Sequence, residues 1–143
     1  MKKAFFALAL TAAATGASAQ LTPVGLWRSI DDKTGQAKAE IRITAQAGGV
    51  LSGVVEKALI TTGAPTCDLC TDDRKGQPKL GMEIIRGARK SESKDVWEEG
   101  KILDPENGST YALRLTPIEG GKKLEVRGSI AFFGRTQTWV RVP

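Results

Sequence analysis

Residues 37–44 read AKAEIRIT. Successive side chains of an extended chain point to opposite sides, so Ala37, Ala39, Ile41 and Ile43 share one face while Lys38, Glu40, Arg42 and Thr44 share the other. A period of two with one apolar face is the pattern of a half-buried β-strand. The same period recurs downstream. TYALRL (110–115) puts Tyr111, Leu113 and Leu115 together, and LEVRGSI (124–130) does the same for Leu124, Val126 and Ile130.

GLWRSI, VLSGVVEKAL, GMEIIRG, GKILD and QTWVRV bring the expected total to about eight strands. The segments DDKTGQ, QAGG, PENG and IEGGKK supply Gly and Asn residues for tight turns between them. A meander of this kind, with no convincing helix, buries its inner face and protects its edges by closing on itself. The expected fold is all-β: a single small antiparallel up-and-down barrel. The longest irregular stretches, residues 60–79 and 88–95, are expected to project from an end.

The first twenty residues, MKKAFFALALTAAATGASAQ, have two lysines, an apolar run and Ala17-Ser18-Ala19. This is the layout of a secretory signal peptide over residues 1–19, cleaved after Ala19. The apolar run is too short to span a bilayer, and no other stretch reaches the roughly 20 apolar residues that a transmembrane helix needs. Gln20, where a lipoprotein would need Cys, argues against a lipid anchor. Residues 20–143 are then one exported domain, periplasmic or secreted. The loss of Lys2 and Lys3 takes the formal charge from +5 to +3. So weak and scattered a balance argues against a nucleic-acid partner.

The chain contains no histidine, which removes the usual general base and the commonest transition-metal ligand. In ILDPENGSTYALRL (102–115), the acidic cluster invites a calcium-loop reading. Counting from Asp104, however, Gly108 is fifth and Leu115 is twelfth, where an EF-hand needs Gly sixth and Glu twelfth. Pro105 and Asn107-Gly108 suit a tight turn instead. The other carboxylates fall in turns or at strand ends with no spacing that pairs them. Cys67 and Cys70 are too few for a structural zinc site, and their flanks read as loop rather than as the helix start of a redox motif. A local disulfide that holds the long loop is the expected state in an oxidising compartment. No catalytic residue, metal or cofactor is expected, and the protein is read as a non-enzyme.

The terminal strands mix aromatic and basic residues, GLWRS at the start and WVRV at the end. Trp27 plugging one end of the barrel under an arginine from the last strand would explain the mixture. Gly25-Leu26-Trp27 resembles the Gly-x-Trp of lipocalin and wider calycin barrels, where the Trp closes the floor and a last-strand Arg packs across it. Arg141 or Arg135 would be the counterpart here. More broadly, GLWRSIDDKTGQAKAEIRI, CDLC, GKILDPENGSTY and LEVRGSIAFFGRTQTWVRV together resemble the uncharacterised exported bacterial family known as domain of unknown function 2147. That resemblance implies a small lipocalin-like barrel and no established activity.

A barrel of this size is either filled by its own side chains or just able to hold one small ligand. The first expectation is binding of a small apolar ligand. Its wall would be Tyr111, Leu113, Leu115, Val126 and Ile130, with Trp97, Phe132 and Phe133 near a rim. The alternative is a filled barrel acting as an envelope interaction module through Phe132 and Phe133 beside Arg135.

Overall fold

The computed structural model describes residues 21–143; the expected signal segment, residues 1–19, lies outside the described residues. Eight antiparallel strands follow one another around a closed barrel. They are β1 (Gly25–Ile30), β2 (Ala37–Ala45), β3 (Leu51–Ala58), β4 (Glu83–Lys90), β5 (Trp97–Asp104), β6 (Ser109–Ile118), β7 (Lys123–Ile130) and β8 (Phe133–Arg141). β8 returns to β1 through the pairs Trp27 with Arg141 and Arg28 with Val140. The Val142 backbone N–H donates to the Leu26 carbonyl beside those pairs, so the two terminal strands join over a short seam. The only helical pieces among the described residues are two single 3-10 turns, Ala47–Gly49 and Glu119–Gly121.

The up-and-down order sends alternate connections to opposite ends. One end carries the β1–β2, β3–β4, β5–β6 and β7–β8 loops; the other carries residues 21–24 and the remaining connections. The second end is shut by packed side chains. Trp27, Ile43, Leu115 and Leu124 are fully buried there, with Leu51 and Trp97 nearly so.

The strands run further than their clean alternations suggest. Residues 88–90 belong to β4 and Trp97 begins β5, so the irregular stretch expected over 88–95 shrinks to a turn between Lys90 and Trp97. The cause is a pair of backbone irregularities. Gly87 and Glu99 have positive φ, and the β5–β6 register shifts between Trp97 and Gly100. An extra residue of this kind breaks the period of two without ending the strand.

The long β3–β4 loop is held to the barrel rather than projecting freely. Cys67 and Cys70 form a disulfide. The Gly108 backbone has φ 73, and a Cβ there would overlap the Leu69 carbonyl, so the PENG turn and the CDLC segment meet at a position only glycine fits. Beyond it, Arg74 is buried and donates to Asp72 and to the Glu83 carbonyl, while Arg86 bridges Asp73 and Glu83. Closing so short a covalent loop contributes only about 2 kcal/mol in the chain-entropy picture. Cys67→Ser/Cys70→Ser is therefore expected to speed amide exchange over residues 66–78 while leaving the barrel strands protected; loss of protection across all eight strands would make the disulfide a global staple instead.

The same loop carries a pH dependence. Hydrogen bonds from the Arg74 side chain and backbone lower the Asp72 pKa from 3.8 to about 2. A depressed carboxyl contributes stability above its unfolded pKa and loses it as pH falls through the folded one. Loop protection is thus expected to be flat above about pH 5 and to fall between about pH 4 and pH 2. Asp72→Asn should make that fall shallower, the remainder coming from Asp73, whose carboxyl the Arg86 hydrogen bonds also hold low.

Candidate functional site

At the shut end, the Arg141 guanidinium lies over the Trp27 ring, 4.2 Å from its centroid. Trp27 Nε1 donates to the Pro23 carbonyl at 2.6 Å. Arg141 donates to three backbone carbonyls, of Gly121, Val24 and Thr22, at 2.7 to 2.8 Å. Burial pulls its pKa below the ordinary guanidinium value. Gly25 makes this possible: its φ is 141, and a Cβ there would strike the Arg141 guanidinium. The Gly-x-Trp spacing therefore reads as a gap for the arginine followed by the ring it covers.

The opposite half is hollow. A cavity of about 810 Å³ opens between the loops of that end. Ile41, Val55, Ile84, Ile102, Val126 and Trp139 form its apolar depth. Polar groups gather towards the mouth, among them Lys38, Lys79, Tyr111, Asn107, Glu106 and Arg135. Most of the charges there are engaged. Arg135 Nε donates to Asp32 at 2.9 Å, and this bond lowers the Asp32 pKa and raises that of Arg135. Lys79 pairs with Glu106 at 3.5 Å, and Glu106 also accepts from the Thr62 hydroxyl. Among the described residues, Lys38 is the lining cation outside any ion pair.

Four of the expected wall residues line this cavity: Tyr111, Val126, Ile130 and Phe133. Three others do not. Trp97 and Leu115 face the same interior but lie towards the shut end, where they pack as solid core, and Leu113 is buried beside Gly128 without lining the hollow. Strand alternation tells which face a residue is on; it does not tell how far along the barrel axis it lies. Phe132 is outside the cavity altogether, 101% exposed at the tip of the β7–β8 hairpin. Arg135 is likewise corrected: it is at the mouth with Asp32, six residues before Arg141 and at the other end of the same strand.

Several cavity residues escaped the sequence reading. Ser29, Gln137 and Trp139 line it from strands that looked clean on neither face. Their polar atoms are satisfied locally, which is how they come to face inward. The Ser29 hydroxyl exchanges bonds with the Ala39 backbone, and Trp139 Nε1 donates to the Gln137 side chain. Ile41, Val55 and Ile102 carried an apolar signal, but nothing local marked them as cavity rather than core.

A solved structure similar to this one is that of a protein from the human pathogen Helicobacter pylori, described as belonging to the lipocalin family. The TM-score is 0.72 at 16% sequence identity, and the match covers 87% of this chain and 85% of that one. The likeness is one of fold. No curated protein matches the chain in sequence. Residues 25–141 match the family described as uncharacterized protein conserved in bacteria, DUF2147, so the chain belongs to that family and carries its domain as a lipocalin-like barrel.

Proposed function

We propose that the protein binds one small, largely apolar molecule in the open half of the barrel. The observation that carries this reading is the cavity of about 810 Å³, apolar in its depth and polar at its mouth. Sites for small ligands have this size and this distribution of polarity. We read the protein as a binder rather than a catalyst. In support, the Glu106 carboxylate at the mouth is occupied by Lys79 and Thr62, and Asp104 accepts from the Glu106 backbone. We also read it as exported, consistent with a disulfide of a kind that persists in oxidising compartments.

The filled-barrel alternative does not describe this molecule, because only the shut half is filled. Its surface component, the exposed Phe132 and Phe133, is treated below. The test is to purify the protein from the periplasm under native conditions and to compare native with denatured intact masses. A small molecule retained only in the native spectrum is the expected result. A bare native mass that stays bare after incubation with apolar dyes would overturn the reading.

A further inference from the structure

We propose that the tip of the β7–β8 hairpin docks the open end of the barrel onto an anionic lipid bilayer. Ile130 pairs with Phe133 across a two-residue turn, Ala131-Phe132, in which Ala131 has φ 52. Phe132 and Phe133 stand 101% and 81% exposed at the apex, with Ile130 at 52% beneath them. Two adjacent phenylalanines in water at the end of a tight turn are an apolar surface in need of an apolar phase. The apolar path is continuous: Ile130 and Phe133 line the cavity as well, and Ile60 and the exposed Leu80 line it from the loop across the mouth.

The shape favours a bilayer over a protein. A stable protein interface takes roughly 800 Å² from each partner, whereas three side chains on a narrow tip supply a few hundred. Such a tip can instead enter between lipid headgroups, where exposed aromatic rings are stabilised. Charge agrees with anionic lipid. From residue 126 to the end of the chain there are three arginines and no acidic residue. Arg135 is neutralised by Asp32 and Arg141 is at the far end, which leaves Arg127 beside the tip. Arg127 donates to the Thr136 hydroxyl and has no carboxylate partner among the described residues. Lys38 also lines the mouth outside any ion pair, but its charge acts on the nearby Asp31 carboxylate, so Arg127 is the cation that would meet a headgroup. The docking names the lipid phase as the place where an apolar ligand is collected or released. It rests on the binding reading for that purpose only.

Flotation with vesicles of phosphatidylglycerol and phosphatidylethanolamine, beside vesicles of phosphatidylcholine, reads the docking; fluorescence of an apolar naphthylamine dye without vesicles reads the cavity. The protein should float with the anionic vesicles. Phe132→Ser should lose about tenfold or more in vesicle affinity, with Tm and dye uptake unchanged, because Phe132 is fully exposed and does not line the cavity. Arg127→Gln should lose about fivefold on anionic vesicles only. Absence of flotation, equal flotation of Phe132→Ser, or capture of a protein partner through Phe132 in place of vesicles overturns the docking. Dye uptake without flotation would sink the docking and leave the binding reading standing, whereas flotation without dye uptake would support the docking and sink the binding reading.

Discussion

Trp27→Ala is expected to cost about 4 kcal/mol and to lower Tm by on the order of 15 °C. The side chain is fully buried, so its removal leaves a cavity that the surrounding strands cannot fill by collapsing. Two further losses add to that cavity. The Pro23 carbonyl loses its donor, and the Arg141 guanidinium loses the ring face beneath it. Trp27→Phe separates these contributions, because it keeps a ring under Arg141 and removes only the Nε1 bond and part of the volume. It should cost about 1 to 2 kcal/mol. Chemical denaturation of the two variants, read by a probe other than tryptophan fluorescence, measures both. A cost below about 1 kcal/mol for Trp27→Ala would mean that the shut end is not held by this residue.

The Trp27 site also shows how much of the architecture was legible. Clean alternation over residues 37–44, 110–115 and 124–130 located β2, β6 and β7, and turn chemistry at PENG and IEGGKK located two of the connections. Closure followed from the absence of helices to cover a sheet. The terminal strands were readable only as a puzzle, because their inward face is built of Trp27, Ser29, Gln137, Trp139 and Arg141. Polar atoms facing a barrel interior are tolerated when each finds a partner, and for Arg141 those partners are distant in sequence, including carbonyls 117 and 119 residues away. No local pattern reports such a match. The cavity was legible in half for a related reason. Leu115 and Ile130 have the same alternation and the same chemistry, yet one is packed in the solid end and the other lines the hollow end. What separates them is height along the barrel, set by stagger between neighbouring strands and hence by the register of all eight.

Gly128→Trp should abolish ligand uptake while leaving the barrel folded. Gly128 lies on the cavity wall between Leu113 of β6 and Arg135 of β8. Its φ is outside the left-handed region, and a Cβ there would reach only ordinary contact, 3.4 Å from the Tyr111 Cβ and 3.8 Å from Ile102 Cγ2. A side chain is therefore accepted at this position without backbone strain, and an indole has nowhere to go but the hollow. The affinity for an apolar naphthylamine dye should fall by more than about tenfold, the loss expected when roughly one large side chain's worth of ligand burial is denied. Tm should change little, since no packed neighbour is displaced. The combination decides where the dye sits. Uptake lost in Gly128→Trp but kept in Phe132→Ser puts the ligand inside the barrel; the reverse pattern would put it on the exposed hairpin tip, and the cavity would then have no part in binding.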